Sequence, residues 1–181
     1  MAIQKLQSQY GVVETNHVAA VKTGQIYAQY TLDPAGFTGS KYGENGMLVS
    51  VDHVAKLVKL PSGATASNIG LLATVSKEYE GKGRKYFAIK PGEFNPRVLK
   101  LQTGDIFETN AVIYDDTVYA DYNAIVAANN ATTVYGVPDA TGYIKIIATL
   151  AGTEKNALKV VEGVTLPNGE RGFKFVVALV G

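Results

Sequence analysis

The segment ALKVVEGVTLPNGERGFKFVVALV, residues 157–180, indicates the fold class of this chain. Residues 157–161 and 173–180 are rich in β-branched and aromatic side chains, which favour strands, and Pro-Asn-Gly at 167–169 favours a turn between them. Alternate side chains of a strand share one face, and the second strand places these apolar residues on one face: Phe173, Phe175, Val177 and Leu179. The segment therefore predicts a β-hairpin with one apolar face.

Short runs of the same kind, separated by Gly, Pro and Asn, continue toward the N-terminus. They predict strands at residues 26–32, 47–51, 54–60, 86–89, 97–101, 106–114 and 143–148. Residues 97–101 and 106–114 are expected to pair as a hairpin, and residues 64–75 suit either a short helix or a strand. The alanine-rich residues 119–129 predict a helix. Strands spaced by about ten residues predict a mainly β fold, an antiparallel sandwich or barrel with one short helix.

The first 17 residues are polar and aperiodic. They predict an extended N-terminal arm (residues 1–17) in front of a single β-rich domain (residues 18–181). Such arms are often disordered alone and become ordered on a partner. No apolar run follows Lys5, so a secretory signal is not expected and the sequence predicts a soluble protein made in the cytoplasm.

The composition excludes several classes of protein. Of 181 residues, 46% are apolar and 18% charged, which is typical of a folded globular chain and not of disorder. The absence of cysteine excludes disulfides and thiolate zinc sites. A net charge of +1 gives no reason to expect nucleic acid or an anionic membrane as a direct partner. No cofactor is expected.

Catalytic and metal-binding patterns are not evident in the sequence. Neither His17 nor His53 has a second histidine at metal-ligand spacing or a recognisable nucleophile motif, so no enzymatic activity is predicted. Asp115, Asp116 and Asp121 either bind calcium or form a turn and a helix N-cap. They lack the spacing of an EF-hand loop, which favours the turn and cap, and no metal site is predicted.

Charges and tyrosines are unevenly distributed along the chain. Residues 77–100 carry seven basic and three acidic side chains, whereas residues 101–140 carry six acidic ones and no basic one. These charges either pair within one subunit or face complementary patches on neighbouring subunits. Tyr114, Tyr119 and Tyr122 lie near the acidic residues. They are predicted to be mostly core or half-buried, although tyrosine is also common at interfaces and in carbohydrate sites.

Several stretches resemble small structural proteins of tailed-bacteriophage heads. They are GQIYAQ (24–29), ENGMLVSVD (44–52), VKLP (58–61), LKLQTGD (99–105) and TNAV (109–112). The resemblance implies a capsid decoration (cement) protein, a virion component on the outside of the expanded shell that bridges major capsid subunits. It further implies a homo-oligomer, with a trimer favoured. No catalytic residue is carried over from this family.

Two regions are candidates for binding the major capsid protein. The N-terminal arm is expected to add a strand to the capsid or to a neighbour, and its candidate residues are Gln4, Leu6, Tyr10 and Val12. The second candidate is a basic turn containing Lys82, Arg84 and Lys85. The alternatives are another virion component (tail tube, head completion or fibre base) and a carbohydrate-binding β-module.

Overall fold

The computed structural model describes residues 2–19, 26–75 and 84–181. Within these ranges the chain forms fourteen strands: β1 (Ile3–Lys5), β2 (Val13–His17), β3 (Ile26–Ala28), β4 (Thr31–Leu32), β5 (Leu48–Asp52), β6 (Leu57–Lys59), β7 (Ile69–Leu72), β8 (Val98–Lys100), β9 (Ile106–Thr109), β10 (Val112–Asp115), β11 (Tyr135–Pro138), β12 (Ile144–Ile147), β13 (Ala157–Thr165) and β14 (Arg171–Leu179). The described elements also include the helix α1 (Tyr122–Ala131) and a short 3-10 helix, Arg84–Tyr86.

The strands form two sheets that pack as a sandwich. The larger sheet has eight strands in the order β1-β10-β12-β11-β13-β14-β9-β2, and the smaller has six in the order β3-β8-β7-β5-β6-β4. Each sheet is antiparallel apart from one parallel pair, β10 with β12 and β4 with β6. The long hairpin of β13 and β14 confirms the prediction made from residues 157–180. The chain is mainly β, as predicted.

The eight-stranded sheet is strongly curled. β9 and β10 are joined only by Asn110 and Ala111, yet they lie at the seventh and second positions of the strand order. Five strand spacings in a flat sheet amount to about 24 Å. A two-residue link reaches only about 11 Å. The sheet must therefore curve back until β9 and β10 form one bent ribbon.

The first core fills the space between the two sheets. Its centre is a group of phenylalanines from the eight-stranded sheet, with ring centroids 5.9 Å apart for Phe107 and Phe175 and 6.2 Å apart for Phe173 and Phe175. Leu48 and Leu71 of the six-stranded sheet pack against this group. All five side chains are essentially inaccessible to solvent, and burial of each contributes about 1.5–3 kcal/mol of hydrophobic stabilisation.

A second core covers the other face of the six-stranded sheet. Val49 and Leu72 face it, whereas their chain neighbours Leu48 and Leu71 face the first core. This follows from the two-residue periodicity of a strand. Strands β5 and β7 are therefore apolar on both faces, like the buried strands of layered folds.

The helix α1 packs against β13. The Asp121 side chain caps its N-terminus by accepting a hydrogen bond from the Ala124 N–H at 2.9 Å, and the Ile125 side chain is buried. The predicted helix began earlier, at residue 119. Tyr119 instead belongs to the turn after β10, where its N–H donates to the Asp115 carbonyl.

Of the helices in the described ranges, none has the length and apolar character needed to cross a bilayer.

Two local predictions are wrong. Residues 97–101 and 106–114 do not form a hairpin, because β8 belongs to the six-stranded sheet and β9 to the eight-stranded one. Residues 86–89 do not form a strand, since they contribute only an isolated bridge between Ile89 and Gly43. In both places the local pattern indicated strand propensity, but pairing depended on distant segments.

Two further segments show how burial overrides local pattern. The ambiguous residues 64–75 contain β7, a strand that is buried along its whole length. Strand β11 was not predicted, because Gly136 and Pro138 both lower strand propensity. Gly136 is required there, since a Cβ would lie 2.6 Å from the Ile144 side chain.

Residues 2–17, the N-terminal segment, are folded onto the eight-stranded sheet. β1 pairs antiparallel with β10, and β2 pairs antiparallel with β9. Both strands therefore lie along the same β9–β10 ribbon and satisfy hydrogen-bonding groups that would otherwise form an open edge. The sequence predicted an arm that is ordered on a partner. In the structure the segment is ordered on the chain's own sheet.

Candidate functional site

The N-terminal segment is fixed at Gly11 and Val12. The Gly11 N–H donates to the Glu44 carboxylate at 2.7 Å, and the Val12 N–H donates to the Asn110 side-chain oxygen at 2.6 Å. The Val12 carbonyl accepts from the Thr109 hydroxyl at 2.7 Å. All of these groups are buried, where an unpaired partner would be costly. We call these five residues the anchor.

Glu44 connects the anchor to β1. It is 5% exposed, and it accepts a hydrogen bond from the Tyr143 hydroxyl, which in turn accepts one from the Lys5 ammonium at 2.8 Å. Burial raises the pKa of Glu44, and the hydrogen bonds from Tyr143 and Gly11 oppose this rise. Burial and the neighbouring carboxylate raise the pKa of Tyr143, so its hydroxyl stays protonated and remains a donor. The result is a buried carboxylate that holds two separate parts of the segment.

Asn110 connects the anchor to the turn between β13 and β14. Its side-chain amide donates to the Glu170 carboxylate at 2.8 Å. Glu170 also accepts from the Asn168 amide at 2.9 Å and from the Ser8 N–H at 3.3 Å. One fully buried asparagine therefore joins the N-terminal segment to the hairpin that dominates the sheet.

The anchor places Tyr10 beside the predicted basic turn. The Tyr10 N–H donates to the Lys85 carbonyl at 3.0 Å. Arg84 forms an ion pair with Glu14 of β2, across a sequence separation of 70 residues. Lys82 of the same turn lies outside the described residues. The fold thus brings together the two regions that the sequence predicted separately as binding sites.

Tyrosine rings and cations alternate where these regions meet. The Tyr10 and Tyr42 rings meet edge to face at 5.9 Å, and the Lys90 ammonium lies 5.8 Å from the Tyr42 ring. The Lys85 ammonium lies 5.4 Å from the ring of Tyr86, which is 50% exposed. We call this the segment–turn surface, which consists of Tyr10, Tyr42, Arg84, Lys85, Tyr86 and Lys90. Tyr and Arg are enriched in the parts of protein interfaces that contribute most to affinity.

The four predicted arm residues have different surroundings. Gln4 is exposed and its amide donates to Asp116 at 3.3 Å. Leu6 is half-buried against the first core, and Val12 is 2% exposed within the anchor. In this conformation Leu6 and Val12 hold the segment on its own sheet, whereas Gln4 and Tyr10 reach the surface.

The acidic cluster serves local structure. The Asp115 carboxylate accepts bonds from the Thr117 N–H and hydroxyl at 2.9 and 2.6 Å, which lower the pKa of Asp115. Asp116 accepts from the Ala2 N–H, and Asp121 caps α1. These contacts agree with the turn-and-cap interpretation. In the described ranges, no three His, Asp or Glu side chains are placed to hold a metal ion.

A second cluster of rings lies elsewhere, at the margin of the second core. The His53 ring meets Tyr27 at 5.0 Å and Tyr30 at 5.8 Å, both edge to face. The Lys100 ammonium lies 5.8 Å from the Tyr27 ring. We call these rings the Tyr27–His53 cluster. The sequence pattern did not reveal it, because His53 reaches the tyrosines only through the pairing of the six-stranded sheet.

The predicted tyrosine cluster is part of the fold instead. Tyr119 is 6% exposed. The Tyr122 ring packs on Phe173 at 4.9 Å, and its hydroxyl donates to the Gly172 carbonyl at 3.2 Å. These contacts agree with the prediction that these tyrosines are mostly core or half-buried.

An open hollow of about 540 Å³ lies on the face of the eight-stranded sheet turned away from the first core. It is lined by Asn16, His17, Ile106, Val161, Glu162 and Lys174. Lys174 pairs with Glu162 at 2.9 Å and with Glu108 at 3.4 Å, and these pairs raise the pKa of Lys174. Among the described lining residues there is no serine, threonine or cysteine beside His17 that could serve as a nucleophile.

The chain matches no protein-family model, and neither the curated proteins nor the solved structures contain a match to it. Function is therefore inferred from the surfaces of the fold and from the sequence resemblance.

Proposed function

We propose that the protein is a virion structural protein, a decoration protein that binds and stabilises the outer surface of a tailed-phage capsid. The segment–turn surface is the observation that supports this most. It combines the exposed ring of Tyr86 and the half-buried rings of Tyr10 and Tyr42 with Arg84, Lys85 and Lys90 on the sandwich. Preordered contacts of this kind lose little conformational entropy on binding.

The proposed partner is the major capsid protein, which repeats many times on a shell. Symmetry lets modest contacts of each copy add up to firm attachment. Arg84 is paired with Glu14 and Lys90 with Glu93, so Lys85 is the cation of this surface proposed to face an acidic region of the shell protein. We propose a homo-oligomer, with a trimer favoured, in the virion, without catalytic activity and without direct contact to nucleic acid.

Quantitative mass spectrometry of purified particles tests this proposal. The particles come from the phage whose genome encodes this chain. A copy number comparable to that of the major capsid protein supports decoration. A low copy number moves the protein to the alternative virion roles of tail tube, head completion or fibre base. Absence from the particles overturns the virion proposal.

A charge reversal tests the surface itself. Lys85→Glu is added back to particles that lack the protein, and binding is measured by cosedimentation. We expect about tenfold weaker binding, equivalent to about 1.4 kcal/mol. Lys159→Glu is the matched control, because Lys159 is an exposed lysine on β13, outside the segment–turn surface. Equal binding by the two variants, with unchanged circular dichroism, would contradict a role for this surface.

The Tyr27–His53 cluster favours a second candidate function, binding of a carbohydrate. Pyranose rings pack their C–H faces on aromatic side chains, and polar groups at the rim bind their hydroxyls. The Tyr30 hydroxyl and the Asn68 amide are such groups, and the latter lies 3.3 Å from the Tyr27 hydroxyl. Nuclear magnetic resonance titration with a panel of soluble glycans would show shifts at these rings. Tyr27→Ala should remove these shifts, whereas Tyr86→Ala, which lies outside the cluster, should leave them unchanged. If no glycan of the panel shifts the resonances of the Tyr27–His53 cluster, this candidate function is excluded.

A further inference from the structure

In the described part of the chain, the hydrogen bonds of β1 are made with β10, the adjoining Asp116 and Tyr143. Its backbone pairs with β10, from Ile3 opposite Asp115 to Lys5 opposite Ile113. The Gln4 amide and the Ala2 N–H both donate to Asp116, and the Lys5 ammonium donates to the Tyr143 hydroxyl. A second copy of the chain offers the same partners in the same register.

β1 is loosely held in comparison with the anchor. All three of its residues are exposed, so its docking buries little apolar surface. The anchor, by contrast, consists of buried hydrogen bonds at Gly11 and Val12. Residues 2–5 can therefore leave β10 while Gly11 and Val12 stay in place.

The segment between β1 and the anchor contains a buried polar side chain. Gln7 is 6% exposed. Its side chain lies beside Glu44 and Tyr143, and a hydrogen-bonding contact with Gln7 lowers the pKa of both groups. Release of β1 together with residues 6–10 therefore exchanges this contact for contact with water.

We propose that residues 2–5 exchange between copies of this chain, so that β1 of one copy pairs with β10 of another. The inference rests on the proposed homo-oligomer but not on binding to a capsid. The occupant of β10 is a second copy because the polar partners specify the strand. Gln4 is opposite Tyr114 and reaches Asp116, and Lys5 reaches Tyr143.

Geometry and mass action set the conditions for exchange. Exchange also breaks the backbone hydrogen bonds of Leu6, Ser8 and Tyr10. Once these are released, residues 6–10 can extend by about 17 Å from Gly11, so the receiving β10 must lie within that distance of the donor's anchor. A strand tethered to its own sheet has an effective concentration in the millimolar range. Exchange therefore prevails where copies are crowded, as in an oligomer or on a lattice, and the closed form prevails in dilute solution.

Because the chain has no cysteine, introduced cysteines report the pairing directly. Gln4→Cys and Tyr114→Cys occupy paired positions of β1 and β10. The double variant, treated with a short bismaleimide at low concentration, should form an internal link, which shows that the pair can be bridged. The two single variants, with distinguishable masses, are then unfolded together, refolded at high concentration and treated with the same reagent.

Exchange predicts a covalent heterodimer of the Gln4→Cys and Tyr114→Cys chains, severalfold above background. The background is the product formed when Gln4→Cys is mixed with Lys159→Cys, whose cysteine lies on β13. A heterodimer at background level overturns the exchange.

Light scattering of the unmodified protein separates the strand exchange from the proposed homo-oligomer. A trimer without cross-linking overturns the exchange alone. A monomer at every concentration overturns the homo-oligomer as well.

Discussion

Replacement of Asn110 should destabilise the whole sandwich through one hydrogen-bond network. Asn110→Ala removes the acceptor of the Val12 N–H and the donor to Glu170. Val12 is 2% exposed, so water does not replace the lost acceptor. We therefore expect this single substitution to loosen the N-terminal segment and the turn between β13 and β14 together.

The size of the effect follows from the burial of each group. An unpaired buried N–H costs about 1–3 kcal/mol, and loss of the bond to the half-buried Glu170 adds about 0.5–1 kcal/mol. The expected loss of unfolding free energy is therefore about 1.5–4 kcal/mol. With a urea m-value of about 2.5 kcal/mol/M, the midpoint should fall by about 0.6–1.6 M.

Urea unfolding followed by circular dichroism is the assay. Asn130→Ala is the matched control, since Asn130 is exposed on α1 and the change should be neutral or stabilising by about 0.5 kcal/mol. If the segment detaches before the domain unfolds, the cost appears as faster amide hydrogen exchange in β9 and β10. If Asn110→Ala has the same urea midpoint and the same amide exchange rates as Asn130→Ala, the reasoning is refuted.

Two further predictions concern the same region. Gly46 has φ +91, and a Cβ there would lie 2.0 Å from the Thr109 hydroxyl oxygen, so Gly46→Ala should cost about 2–4 kcal/mol in urea unfolding. Gly152→Ala, at φ +85 with open space around it, should cost only about 1 kcal/mol, and equal costs would contradict the packing argument. Burial raises the pKa of Glu44, so its contribution to stability is fully present below its unfolded value of about 4.5 and is lost as pH rises through the folded pKa. The wild-type protein should therefore lose stability relative to Glu44→Gln as the pH rises from below 4.5. If the wild type instead gains stability relative to Glu44→Gln over this range, the pKa of Glu44 is lowered in the folded protein and the argument is wrong.

The candidate surfaces were predictable only in part. The composition of the basic turn and the polar character of residues 1–17 marked both regions in the sequence. Their contact could not be foreseen, because Tyr10 meets Lys85 only after β2 has paired with β9. The role of Val12 was equally hidden, since its burial depends on Asn110 and Thr109, which lie almost 100 residues away.

Local chemistry alone determined the β-rich class, the β13–β14 hairpin and the helix capped by Asp121. Strand periodicity, turn residues and capping act over a few residues, so the sequence carries them directly. Only the tertiary structure decided that β8 and β9 belong to different sheets. It also decided that the N-terminal segment pairs with the chain's own β9 and β10. Those outcomes depend on which distant strands offer complementary faces and free edges, and no local pattern specifies a pairing across 100 residues.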